Sequence, residues 1–209
     1  MSISDIGLLV NSNFNKPLNE QIRDNQWQGG YVFSETSNTT ISFTPDKSGY
    51  YKIIAIGAGG VGDGTRLADN DYRVCTGGSG GVAIKTMKLL SSQSYTISFT
   101  YGAANVSFNN ILSATRGTDG DARNRDPGSG GTASGGDFNY NGISGQYIGE
   151  SASLTGPGVG VFIPGLSQRE SGSGNSIFGY GNGGSYSYSD GSGYTGPAAV
   201  LILPLELEE

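Results

Sequence analysis

The chain has 209 residues, which suits one domain carrying a large insertion, with 37 glycines, no histidine, one cysteine and 12 basic against 18 acidic residues, a formal net charge of −6. Without histidine there is no His-based triad, no Cys–His pair and no His-ligated zinc, and one cysteine makes neither an internal disulfide nor a Cys₄ metal site. The acidic balance speaks against a nucleic-acid footprint, and no apolar run approaches the ~20 residues of a membrane span.

Residues 1–25 read as an N-terminal arm. Asn and Gln recur in it and Pro17 interrupts any helical pattern. Its apolar patch, with Ile6, Leu8, Leu9 and Val10, is a candidate oligomer contact, or packs on the domain that follows. The opening residues carry no basic n-region and no long apolar stretch, so the expectation is either a chain that stays in the cytosol until assembly or lysis, or a trimmed sequence.

Residues 26–116 read as strands. Tyr95 to Tyr101 alternates large apolar side chains with small hydroxyls, the pattern of a half-buried strand. Ile41 and Phe43 alternate likewise within residues 39–44. Residues 50–56 are apolar on both faces, which predicts a central strand, and residues 82–90 are another candidate. Val106 to Phe108, then Asn109-Asn110, then Ile111 to Thr115 predicts a tight hairpin, because Asn tolerates the positive φ of a two-residue turn. Ala198 to Leu203 is the most continuous apolar run, which predicts a strand buried on both faces and ended by Pro204. Its partners lie in 26–116, so the chain must return there. The expected fold is all-β: an antiparallel β-sandwich of 26–116 with 197–205, interrupted by a glycine-rich insertion at 117–196.

Several motifs tempt. Gly57-Ala-Gly59-Gly-Val-Gly62 after an apolar strand mimics a dinucleotide fingerprint. The same spacing recurs at Gly179/Gly181/Gly184 and Gly191/Gly193/Gly196, and residues 63–72 lack helical periodicity, so composition explains it. Asp119-Gly-Asp121 with Asp126 resembles a piece of a calcium loop, but the twelfth position is Gly130 rather than glutamate. Solvated turn acids are the favoured reading and no metal or other cofactor is expected, the alternative being a looser calcium site of loop carboxylates and carbonyls. Carboxylates are few and separated by glycine loops, and Cys75 has no histidine to activate it, so catalysis is not expected.

The informative feature is glycine itself. Residues 1–56 hold 4 glycines and residues 57–209 hold 33, many of them three apart, as at Gly57/Gly60, Gly78/Gly81, Gly117/Gly120, Gly128/Gly131 and Gly142/Gly145. Three residues make one turn of a polyproline-II-type helix, and a glycine ridge lets such helices approach until their backbones bond to one another. Ordering a glycine costs roughly 1–2 kcal/mol, so only a bundle with many such bonds could hold together. The aromatics of the insertion argue against a flexible linker. Tyrosine among glycine and serine also describes a recognition surface. Tyr180, Tyr186, Tyr188, Asp190 and Tyr194, with Tyr147 and Phe178, are the candidate receptor-binding residues; the bland alternative is that these rings cap the edges of a glycine bundle.

Two regions resemble bacteriophage tail-fibre and receptor-binding proteins. Gly7-Leu-Leu-Val-Asn11-Ser-Asn-Phe14-Asn-Lys-Pro17-Leu-Asn19 is similar to a stretch that opens many phage tail modules, with Gln21 and Arg23 displaced from the usual Asn-Gln-Arg-Gly. The order Tyr51-Lys-Ile-Ile-Ala-Ile-Gly-Ala-Gly-Gly60, Gly77-Gly-Ser-Gly-Gly-Val-Ala-Ile84, Ser94-Tyr-Thr-Ile-Ser98, a glycine tract and Gly196-Pro-Ala-Ala-Val-Leu-Ile202 looks like the glycine-rich domains of fibre tips, some of which carry polyglycine-II bundles. The resemblance implies a virion-borne adhesin, commonly a homotrimer, that binds a bacterial surface glycan or outer-membrane protein without turnover. Alternatives are a passive fibre segment, a bacterial surface fibre, a polysaccharide depolymerase, which needs paired carboxylates, and an ice-binding bundle, which needs flat regular faces.

Overall fold

The computed structural model describes residues 30–66, 72–149, 155–156, 186–187 and 195–208, together with Gly181 and Gly183. The described elements are all β. In chain order they are β1 (Tyr31–Phe33), β2 (Thr39–Phe43), β3 (Gly49–Ile56), β4 (Asp63–Arg66), β5 (Tyr72–Cys75), β6 (Val82–Leu89), β7 (Tyr95–Thr100) and β8 (Asn105–Phe108). There follow β9 (Leu112–Ala114), β10 (Ala133–Ser134), β11 (Phe138–Tyr140), β12 (Tyr147–Gly149), β13 (Thr155–Gly156), β14 (Tyr186–Ser187) and β15 (Ala199–Leu207). No helix of the described residues is long and apolar enough to cross a membrane.

Two five-stranded antiparallel sheets form the sandwich, in the orders β1-β15-β3-β6-β11 and β10-β9-β8-β7-β2. The alternation seen in the sequence decides which side chains meet between them. Tyr51, Ile53, Leu89, Val200 and Ile202 from the first sheet pack on Phe43, Tyr95, Ile97, Phe99, Phe108 and Leu112 from the second. The two large tyrosines of this core keep their hydroxyls bonded: Tyr51 donates to the Lys47 carbonyl at 2.7 Å, and the Tyr95 hydroxyl accepts the Leu90 N–H at 2.9 Å. The outer face of the second sheet is a row of small hydroxyls. Thr40, Ser98, Ser107, Ser113 and Ser134 stand opposite one another, strand to strand, across all five strands.

β15 lies between β1 and β3, so the last strand does return to the sandwich. Ala199 to Leu203 is buried on both faces. On the far face of the first sheet Ile54, Ile56, Val82, Ile84, Leu201 and Leu203 form a second apolar cluster, with Tyr140 packed on it. Pro204 does not end the strand as the sequence suggested. Pairing with β3 continues to Leu207, across an irregularity between Pro204 and Glu206. Among the described residues β1 pairs only with Val200–Ile202. Among the described residues nothing pairs with β15 on that side beyond Ile202, and a proline's missing N–H costs little where no ladder bond is made. The β8–β9 hairpin forms, with Asn109 and Asn110 at φ of 48° and 54°, but its loop is three residues rather than two: Phe108 pairs with Leu112, and Ile111 lies in the turn, its N–H bonded to the Phe108 carbonyl.

Above the sandwich stands a bundle made of backbone. Residues 57–62, 76–81, 115–120, 128–132 and 142–146 run alongside one another without forming strands, and their hydrogen bonds recur every third residue. Gly57 and Gly60 donate to the carbonyls of Gly81 and Gly78, Gly78 and Gly81 to those of Thr118 and Thr115, and Gly117 and Gly120 to those of Ala58 and Val61. Gly128 and Gly131 donate to Thr76 and Ser79, and Gly145 and Gly142 to Gly128 and Gly131. This three-residue period is that of polyglycine II. The bundle takes in 57–62 and 76–81, which precede the insertion in sequence, while residues 133–134 and 138–140 of the insertion join the two sheets. The fingerprint-like glycines have no phosphate to cradle: the N–H groups of Gly57, Ala58, Gly59 and Gly60 all bond to protein carbonyls, and Asp63–Arg66 is a strand.

Segment 76–81, Thr-Gly-Gly-Ser-Gly-Gly, is the centre of the bundle and is wholly buried. It bonds to all four other segments and to Gly181. Two of its three ridges are therefore glycine. The third carries Thr76 and Ser79, both fully buried, whose hydroxyls accept the N–H groups of Gln146 at 2.8 Å and Ile143 at 2.7 Å. A net gain of about 1 kcal/mol per hydrogen bond is close to the cost of ordering each glycine. Such a core holds only while every bond is made.

Candidate functional site

All five bundle segments have one end at the sandwich, and all five open at the other end into the connections that carry non-glycine side chains. The distal ends lie near Gly62, Thr76, Gly120, Gly128 and Gln146, as the bonds Gly120 to Val61, Gly128 to Thr76, Gly145 to Gly128 and Thr76 to Gln146 require. Beyond them a small three-stranded sheet, β12-β5-β4, forms, and the paired strands β13 and β14 lie beside β4 and β5. The distal end is thus assembled from four connections remote in sequence.

One face of the small sheet is covered by the turn 121–126. Register puts Asp63, Cys75 and Tyr147 abreast. The Asp63 carboxylate accepts the Ala122 N–H at 2.8 Å, Arg73 donates to the Arg123 carbonyl at 2.8 Å, and the Arg125 guanidinium carbon lies 5.9 Å from the Tyr147 ring centroid. The turn closes on itself through two backbone bonds between Asp121 and Asp126. Hydrogen bonds from the backbone and side-chain N–H groups of Asn124, with a smaller contribution from Arg123, hold the Asp121 carboxyl below the usual range.

Cys75, between Asp63 and Tyr147 in the small sheet and close to Gly120, has no exposed surface. Burial first, then the charges of Asp63, Asp121 and Asp126, push its thiol up to about 11. A thiol so placed is a poor nucleophile at neutral pH. Two of the three acids that resembled a calcium loop are engaged by protein donors: Asp119 accepts the Val61 N–H at 2.7 Å and Asp121 the Asn124 N–H at 3.1 Å. Among the described residues no three potential metal ligands gather.

Of the candidate receptor-binding residues, Tyr147 is on β12, half-buried, at this distal end. Tyr186 is on β14, its backbone opposite Gly156 and beside β4 and β5. Phe178, Tyr180, Tyr188, Asp190 and Tyr194 lie outside the described residues, as do Ile6, Leu8, Leu9 and Val10 of the arm. Sequence reasoning missed β4, β5 and the 121–126 turn as parts of the same end. Their strands are only four residues long, and nothing local says that Asp63 and Ala122 will meet.

No protein-family model matches the chain, and no curated protein matches it.

Proposed function

We propose that the chain is the receptor-contacting tip of a phage-type fibre, a non-catalytic adhesin carried on the virion that binds a bacterial surface glycan or outer-membrane protein. The observation that carries this reading is the convergence of the five described glycine segments on one distal end. A bundle bonded through its backbone holds the ends of those connections in place, while the connections themselves are free to vary in sequence and length. That is the division of labour of a recognition module: a rigid scaffold and contact loops rich in Tyr, Gly and Ser. Assembly as a homotrimer through the N-terminal arm is part of the proposal.

The test is binding of the labelled protein to a panel of whole bacterial cells, beside a Tyr186→Ala/Tyr188→Ala variant and a Tyr147→Ala variant. Strain-selective, saturable binding weakened tenfold or more in either variant is expected. A protein that melts cooperatively yet binds no strain would instead be a passive fibre segment. Release of reducing sugar from host polysaccharide would make it a depolymerase.

A further inference from the structure

The turn between β7 and β8 is built against local preference. Tyr101, Gly102 and Ala103 all take left-handed backbone conformations, with φ of 56°, 65° and 64°. At the neighbouring hairpin the chain uses Asn109 and Asn110 for the same purpose, residues that tolerate this region. Asn38 holds the strained turn in place, its Oδ1 accepting the N–H groups of Gly102 at 2.7 Å and Ala103 at 3.3 Å. Ala103 recovers its strain in packing: it is 4 % exposed and belongs to the sandwich core. Tyr101 does not. The residue is 67 % exposed, the highest value among the exposed large hydrophobic residues described.

What stands over that ring is polar and oriented. The Arg116 guanidinium carbon lies 5.8 Å from the ring centroid, and the same guanidinium is ion-paired with Asp119. Both ends of this pair are anchored through backbone. The Arg116 N–H donates to Asn105 Oδ1 at 2.9 Å, and Asp119 accepts the Val61 N–H at 2.7 Å. The Asp119 side chain keeps half its surface in water. The cluster sits where the sandwich meets the bundle, since Ala104, the last residue of the turn, accepts the Ala58 N–H.

We propose that Tyr101, Arg116 and Asp119 form a saccharide-binding platform on the side of the molecule, separate from the distal loops. Strained, solvent-facing residues that packing does not repay mark functional positions. An exposed aromatic ring with a guanidinium over one face, itself paired with a half-exposed carboxylate, matches a pyranose: the ring's open face takes the sugar's C–H face while the polar pair at its rim bonds to neighbouring hydroxyls. The bacterial origin of the sugar rests on the receptor-binding reading above; the choice of a saccharide rests on the cluster itself.

The probe is an array of bacterial surface polysaccharides, read with the wild-type protein, Tyr101→Gly and Tyr101→Trp. Glycine relieves the left-handed strain, so Tyr101→Gly should melt about 2–4 °C higher while losing saccharide binding at least tenfold. Tyr101→Trp should keep the binding. Equal binding by Tyr101→Gly would overturn the proposal. So would a wild-type protein that binds whole cells but no saccharide, an outcome that leaves the receptor-binding reading standing. Binding to neither cells nor saccharides would overturn both.

Discussion

Gly60 stands so close to Thr118 that a Cβ placed on the glycine would lie 1.8 Å from the threonine carbonyl oxygen. The obstacle is backbone, held by the bonds of two other segments, and it cannot rotate away. Gly60→Ala should therefore destabilise the protein by about 3 kcal/mol or more, through overpacking and lost hydrogen bonds together. Gly102 supplies the contrast. Its added Cβ would meet nothing within 4 Å, and only its φ of +65° resists substitution, so Gly102→Ala should cost about 1 kcal/mol. Paired thermal melts of the two variants measure the difference. Equal costs would mean that the bundle is not close-packed.

Ser79 is buried among glycines, and its hydroxyl is an acceptor for the Ile143 N–H at 2.7 Å. Ser79→Ala keeps the volume nearly unchanged but leaves that N–H without its side-chain acceptor. A loss of about 1–3 kcal/mol is expected, read as a lower denaturant midpoint at unchanged slope.

Phe108 has no exposed surface and stacks on Tyr95 with ring centroids 5.8 Å apart. Phe108→Ala should cost about 3–5 kcal/mol by opening a cavity between the two sheets. Calorimetry would show it as a lowered melting temperature. A much smaller change would mean that the sheets can close over the gap.

The Cys75 thiol titrates near 11 in the folded chain against an ordinary value of 9.0. The folded state thus holds this proton more tightly than the unfolded state does. The resulting stability is fully present below pH 9 and is lost as pH rises through about 11. Denaturant midpoints between pH 9 and 11 should therefore fall more steeply for the wild type than for Cys75→Ala. Parallel curves would refute the linkage.

The same cysteine reports on the distal turn. In the native protein at pH 8 a thiol reagent should label the buried Cys75 only as fast as the distal end opens. Asp63→Ala removes the acceptor of the Ala122 N–H and should speed labelling about fivefold or more, for about 1 kcal/mol of local stability. Unchanged labelling would show that the turn is held by its other contacts.

Much of the sandwich was legible along the chain. The alternation of residues 95–100 places Tyr95, Ile97 and Phe99 inward, and each is buried. The continuous apolar run after Ala198 demanded burial on both faces, and found it between β1 and β3. Asn109-Asn110 announced its hairpin through backbone chemistry alone. The candidate site was much less legible. Of its tyrosines, Tyr147 and Tyr186 are placed at the distal end, and Arg73, Asp63 and the 121–126 turn were not anticipated there.

The division has a physical cause. Amphipathic period, turn chemistry and the every-third-residue spacing of glycine are local properties, and the sequence by itself determined an all-β chain able to pack its backbone ridge to ridge. Which ridge meets which neighbour is not local. That 76–81 needs glycine on two ridges, while 117–120 needs it on one, follows from the number of segments around each. The tertiary structure alone decided this, because these glycine-rich segments present few side chains to one another by which one could select another. Their pairing is imposed by the sandwich strands that feed them, and the same constraint brings Asp63 to Ala122 and Tyr101 to Arg116.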